Sequence, residues 1–259
     1  SRVYDGTATA NASLFVTGGV LVTGVNGETL GLAGTGVLVS KNAGDSGVAL
    51  SDTSGLTLLD GTGKASNYTL GGGSVIISKA PLTITAAASS KTYDGTTVIS
   101  TLPTVLGSVY DAHTLSESYS DPNAGSGKTL TPQIVFANSA DAANYNLTLV
   151  NNSAGVITPA TLYYTATPTS MIQGNALPTL TGTITGLKGS DSLETVTQGT
   201  ANWSTTATQT SPVGRYNING AGVTLKNGNY MLTQAAANDT ALTIQATPAP
   251  TSTQDPTPT

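Results

Sequence analysis

The sequence contains no cysteine. Disulfides and Cys-based zinc sites are therefore excluded, and packing and strand pairing alone must hold the fold. Cysteine avoidance fits a long exported bacterial chain, which crosses a periplasm where disulfides form and would obstruct passage. Charge is also scarce. Asp, Glu, Lys and Arg make up 9% of the chain, against ~25% in ordinary soluble proteins. The nine Lys and Arg are scattered and the net charge is −5. No basic patch is available for a phosphate backbone, which excludes nucleic acid and an anionic membrane surface as expected partners. No apolar run approaches the ~20 residues of a membrane-spanning helix, so direct membrane insertion is not expected. No signal-peptide pattern is present. The chain opens abruptly with Ser1-Arg2-Val3-Tyr4 and reads as part of a longer polypeptide.

Short runs of Val, Ile and Thr, broken by Gly and Asn, fill the chain instead. This pattern predicts an all-β fold. Asn-Tyr recurs at Asn67, Asn144 and Asn229, at intervals of 77 and 85 residues (67 to 144 to 229). Tyr-Asp-Gly occurs at Tyr4 and Tyr93, 89 residues apart (4 to 93). Repeats of this kind, with drift in the loops, predict tandem modules. The boundaries fall at 1–79, 80–159 and 160–246, the first module being truncated at its amino end. A Pro/Thr-rich stretch, 247–259, reads as an extended linker. Asn-Ala-Gly recurs at Asn42 and Asn123; in the third module Ser211-Pro212-Val213-Gly214-Arg215-Tyr216 stands there. Met171-Ile172-Gln173-Gly174 likewise replaces Tyr-Asp-Gly. One short helical turn is predicted at Ser190–Thr195, capped by Ser190 or Asp191. Between the last two modules only Thr158-Pro159-Ala160-Thr161 separates the closing strand from the next opening strand, a joint stiffened by Pro159.

Lys91-Thr92-Tyr93-Asp94-Gly95-Thr96-Thr97, with Asn144-Tyr145 and Ile157-Thr158-Pro159-Ala160, resembles the YDG-type repeat domain of large bacterial exoproteins. Residues 160–246, with Gly186-Leu187, Asp191, Pro212-Val213-Gly214-Arg215-Tyr216 and Asn229-Tyr230, resemble the related MBG-type domain. The resemblance implies tandem β-sandwich-like or β-grasp-like modules in an elongated array. It also implies a place in filamentous-haemagglutinin-like adhesins and other surface or secreted proteins. It implies no catalytic residue.

The residues themselves favour structural roles. In Tyr-Asp-Gly, Asp bonds nearby backbone N–H groups and Gly accepts positive φ. Tyr packs its ring into the core and ties its hydroxyl to a loop. In Asn-Tyr, Asn is expected to turn the chain and Tyr to enter the core. The one histidine, His113, has no nucleophile-elbow partner. Asp191 and Glu194 read as a solvated cap, not an acid/base pair. Asp45, Asp52 and Asp60 lie in a Gly-rich stretch where oxygen-rich loops hold Ca²⁺, but the dense spacing of a calcium loop is missing, and no metal ligand or cofactor is assigned. Six Asn-x-Ser/Thr sequons, at Asn11, Asn67, Asn146, Asn151, Asn202 and Asn238, are glycosylation acceptors by pattern alone. A Lys–Asn isopeptide crosslink suits a stalk without disulfides, but spacing singles out no pair.

Two functions follow as expectations. The first is a non-catalytic stalk segment of a bacterial secreted or cell-surface adhesin. It would present an adhesive region to a glycan or protein on host, matrix or neighbouring cells. In the second, the modules themselves bind a glycan or host protein, with Trp203, the single tryptophan, as the ligand-binding candidate.

Overall fold

Alternation dictates the elements. In Ser74–Ser78, Val75 and Ile77 are buried between exposed neighbours. In Ala80–Thr85, Ala80, Leu82 and Ile84 are buried. This is the period of two that a strand with one buried face requires. The structure, a computed structural model, describes residues 1–23 and 25–248. The Pro/Thr-rich linker from residue 249 on lies outside the described residues. The chain is all-β, with several sheets and only short helical turns. It forms two compact units. One comprises residues 1–88, 98–118 and 129–153; the other comprises 89–97, 119–128 and the chain from 154 on.

In the first unit, Arg2–Val3 lies parallel to Ser74–Ser78. The sheet continues through Gly44–Asp52 and Thr29–Leu38 to Thr9–Asn11, all antiparallel. The leading half of Thr29–Leu38 also pairs with Leu56–Asp60 and Leu21–Val22. A three-stranded sheet has Ala80–Thr85 at its centre. Tyr145–Val150 runs parallel on one side, with Ala80 opposite Tyr145, and Thr104–Leu106 runs antiparallel on the other. One hydrophobic cluster joins Tyr4, Leu38, Val75 and Ile77 to Leu82, Ile84, Phe136 and Tyr145.

The second unit repeats the arrangement. Ala160–Ala166 is flanked by parallel Tyr230–Gln234 and antiparallel Gly182–Thr185. Thr169–Ile172 is parallel to Leu242–Gln245, which also pairs with Gly214–Tyr216. Thr197–Ser204 and Asn219–Leu225 form a hairpin-like pair with a bulge between Gly199 and Asn202. Ala166, Met171, Ile218, Leu242 and Ile244 centre its core.

Two expectations change in detail. The joint before the last module is shorter than Thr158–Thr161, because the strands Asn152–Thr158 and Ala160–Ala166 leave only Pro159 between them. The buried set also changes phase there, from Ile157 to Ala160 and Leu162. The same slip occurs at Ser78–Lys79, between Ile77 and Ala80. The buried positions are spaced three apart instead of two, so the chain turns its other face inward as it passes from one sheet to the next. The predicted helical turn is Leu193–Val196, and its cap is Ser192 instead of Ser190 or Asp191. The Ser192 hydroxyl accepts from the Thr195 N–H, and Thr195 answers in a capping box. Three-residue or longer 3₁₀ turns also stand at Ala12–Leu14, Ala65–Asn67, Ser139–Asn144 and Ala236–Thr240.

Candidate functional site

The repeated motifs meet at the same kind of place in each unit. Tyr-Asp-Gly is first a local turn. Asp5 Oδ1 accepts the Thr7 N–H at 3.0 Å and the Thr7 hydroxyl at 2.9 Å. Asp94 Oδ1 does the same for Thr96, at 2.8 and 2.9 Å. Gly6 and Gly95 follow with φ of 78° and 81°, the left-handed region that glycine enters without a Cβ penalty. A cation clamps each aspartate: Arg2 pairs with Asp5, and Lys91 with Asp94 at 2.8 Å. The turn therefore fixes the preceding tyrosine.

In the first unit, Tyr4 is 1% exposed. Its hydroxyl donates to Asp111 Oδ2 at 2.8 Å. The Tyr145 hydroxyl donates to the same oxygen at 2.9 Å and accepts the Tyr110 N–H at 2.8 Å. Lys41 Nζ reaches Asp111 Oδ1 at 2.5 Å. The Tyr4 and Tyr145 rings meet edge to face, 5.5 Å apart. Beside them, Asn144 Oδ1 accepts the Ala43 N–H at 2.9 Å, and its Nδ2 donates to Asn42 Oδ1 at 3.3 Å. Tyr-Asp-Gly and Asn-Ala-Gly of the first module are thus clasped by Asp111 and Asn144-Tyr145 of the second.

The second unit builds the clasp again. The Tyr93 and Tyr230 hydroxyls donate to Asp191 Oδ2 at 3.0 and 2.7 Å, and Tyr230 accepts the Lys188 N–H at 2.9 Å. Their rings meet edge to face at 5.2 Å. Asn229 Oδ1 accepts the Ala124 N–H at 2.8 Å, and Nδ2 donates to Asn123 Oδ1 at 3.0 Å. Pro122 stands where the first clasp has Lys41. Electrostatics match this difference. Asp111 is buried and Asp191 only half-buried, and a buried carboxylate requires a partner charge. Burial opposes ionisation of Asp111, but hydrogen bonds from Lys41, Tyr4 and Tyr145 hold its carboxyl below the ordinary value. The hydrogen bond it donates to Asp111 holds the Lys41 ammonium above its usual range. Burial, then the neighbouring carboxylates, push Tyr145 and Tyr230 up to about 12.

Asn144 and Asp191 carry roles that motif reading missed. Asn144 is 1% exposed; it closes the 3₁₀ turn Ser139–Asn144, as expected, and in addition clamps the first module, its amide accepting from the Ala43 backbone and donating to the Asn42 side chain. Asp191 lies ahead of the short helix and receives two tyrosines. The signal available in sequence was its equivalence to Asp111, each four or five residues after a glycine, Gly107 or Gly186.

The remaining candidates stand apart. Trp203 is half-buried and packs edge to face on Tyr164 at 5.9 Å, directly over Gly182. His113 Nδ1 lies 2.8 Å from its neighbour's backbone, the Asp111 carbonyl. Asp52 accepts from the Ser54 N–H and hydroxyl, and Asp60 from Lys64 and the Ala65 N–H; the Asp45 side chain lies outside the described ones. Among the described residues no three His, Asp or Glu side chains gather as a metal site. Lys41, Lys64, Lys91 and Lys128 each face a carboxylate. Asn238 is fully buried, its amide bonded to the Ala166 N–H and the Tyr164 carbonyl, which removes that sequon from the surface.

Comparison with family models matches the YDG domain over residues 1–75 and again over 78–154, and the MBG domain (YGX type) over residues 162–248. No curated protein and no solved structure matches the chain.

Proposed function

Because this chain belongs to the YDG domain family, with an MBG domain of the YGX type after its two YDG domains, we propose that it is a non-catalytic repeat segment of a bacterial secreted or cell-surface adhesin. Its work is to space and present an adhesive region toward a glycan or protein on host, matrix or neighbouring cells. The observation that carries this reading is the clasp, built twice from the repeated motifs. The motif tyrosine hydroxyls of Tyr4 and Tyr93 and the amides of Asn144 and Asn229 are consumed in holding one module to the next, while Asp5 and Asp94 close their own turns. Asp111 accepts from Lys41, Tyr4 and Tyr145 at once, so its oxygens face protein donors.

Such a segment should be extended in solution. A compact globule of this length would have a radius of gyration of about 18 Å. Small-angle scattering of the whole chain is expected to give a clearly larger value with a rod-like distance distribution. A value near that of the globule would sink the proposal.

A further inference from the structure

One place in the first module breaks the pattern of the other two. In the second module the strand Ala80–Thr85 fills a slot between Tyr145–Val150 and Thr104–Leu106. In the third, Ala160–Ala166 fills the slot between Tyr230–Gln234 and Gly182–Thr185. The corresponding edges of the first module are Tyr68–Gly73, which follows Asn67 as Tyr145 follows Asn144, and 21–23. Residues 21–23 precede Gly24 as Thr104–Leu106 precedes Gly107. Among the described residues no strand lies between these edges. Two adjoining clefts of about 250 and 230 Å³ lie there instead, both lined by Leu21, Leu70 and Gly71. Phe15, Leu32, Leu50 and Leu56 line the first, and Leu30 and Leu58 the second.

The edges carry the marks of a missing partner. Thr69, Leu70, Gly71 and Gly72 make no backbone hydrogen bond to any described residue, whereas six residues of Tyr145–Val150 are in register with Ala80–Thr85. Tyr68 is half-buried, where Tyr145 and Tyr230 are each 3% exposed. Val22 is 73% exposed, where Val105 is 39% and Ile184 9% exposed. An apolar floor with unpaired backbone along one edge is what an added β-strand requires.

We propose that this cleft is the seat of a β-strand supplied from the amino-terminal side of Arg2, with the pattern Ala-x-Leu-x-Ile/Tyr-x-Ala. The register comes from the filled seats. Ala80 and Ala160 lie opposite Tyr145 and Tyr230; Leu82 and Leu162 lie opposite Leu147 and Leu232. In the open seat an alanine would lie opposite Tyr68 and a leucine opposite Leu70. Direction and source follow from topology. Each filled strand leads within a few residues into a second strand, Ser90–Thr92, which runs directly into Tyr-Asp-Gly, or Thr169–Ile172, which holds the start of its replacement. Those strands lie parallel to Asn152–Thr158 and Leu242–Gln245. Arg2–Val3 holds the same place, parallel to Ser74–Ser78. The occupant must therefore lead into Arg2.

The test extends the whole chain with a copy of residues 80–89 placed directly ahead of Ser1, so that Tyr4 follows it as Tyr93 follows the original. Amide hydrogen exchange is read at 21–23 and 68–73. The seated strand is expected to slow exchange at both edges roughly tenfold or more, in a monomer. A control extension with Asp at the positions of Leu82 and Ile84 should give no protection. Equal protection by the control, unchanged exchange in the extended chain, or protection only in a dimer would each overturn the proposal. Should the extended chain not fold, a free peptide of the same sequence is added to the unextended chain. Exchange slowed at both edges then supports the seat, and no slowing overturns it.

Discussion

Single residues decide how firmly the clasps close. Asp111 gathers two tyrosines and a lysine in a buried site, and Asp191 gathers two tyrosines in a wetter one. Asp111→Asn removes the charge that three donors address, and should lower unfolding free energy by about 2 kcal/mol. Asp191→Asn should cost less, about 1 kcal/mol; urea titrations that reverse this order would contradict the account. The pH dependence has two limbs. The Asp111 carboxyl sits below its ordinary value, so its contribution is present above the unfolded pKa and fades as pH falls through the lower, folded one. Tyr145 and Tyr230 are raised from 10.0 to about 12, so the folded state keeps protons that the unfolded state releases. Their contribution is complete below pH 10 and is lost as pH rises toward 12, and the raised Lys41 adds to the same limb. Tyr145→Phe should flatten the stability loss between pH 10 and 12. An unchanged alkaline slope in chemical denaturation would show that the hydroxyl is not the titrating group.

At the scale of elements, one crossing is built identically in the second and third modules. Gly107 and Gly186 have φ of 106° and 105°, and a Cβ on either would lie 2.4 Å from a carbonyl oxygen, of Pro81 or Thr161. The chain leaving the antiparallel edge strand thus passes directly against the central strand. Gly107→Ala and Gly186→Ala combine a disfavoured backbone region with a backbone collision. Each should cost upward of about 2 kcal/mol, measured as a fall in the thermal midpoint; a neutral outcome would mean that the crossing relaxes freely. The alternation of Ser74–Ser78, Ala80–Thr85 and Ala160–Ala166 was legible in sequence, because a half-buried strand has a period of two. The parallel pairing of Ala80–Thr85 with Tyr145–Val150 was not. Its partners are 65 residues apart (80 to 145), and no local pattern encodes which distant strand lies alongside.

For the whole molecule, the proposed role depends on how much freedom lies between successive modules. Pro159 alone separates Asn152–Thr158 from Ala160–Ala166. A short Gly/Ser insertion after Pro159 should leave the thermal transitions in place while reducing the radius of gyration in scattering. Unchanged dimensions would assign the stiffness to the clasps and not to the covalent joint. The third module carries Met171 and Gln173-Gly174 in place of Tyr-Asp-Gly. Gln173 stays exposed and bonds within its own module, donating to the Ser211 carbonyl at 3.2 Å. The motif reading therefore separates modules that offer a tyrosine to a following neighbour from one that does not.

By itself the sequence determined the all-β class, the repeat and its family, because strand periodicity and turn-forming Asp-Gly and Asn-Gly pairs act over a few residues. It marked Tyr4 and Tyr93 as core tyrosines tied by their hydroxyls, and the tyrosines of the Asn-Tyr pairs as core residues, which Tyr145 and Tyr230 are and the half-buried Tyr68 is not. Only the tertiary structure decided what they are tied to. Asp111 and Asp191 stand in loops where the preceding glycine marks the position but not the partner, and no local pattern sets the Ala43 backbone against the amide of the turn residue Asn144. Each clasp joins groups about a hundred residues apart, such as Tyr4 and Asp111 or Tyr93 and Asp191. Their partnership exists only once the sheets have packed, since burial is what makes an unpaired hydroxyl or carboxylate costly.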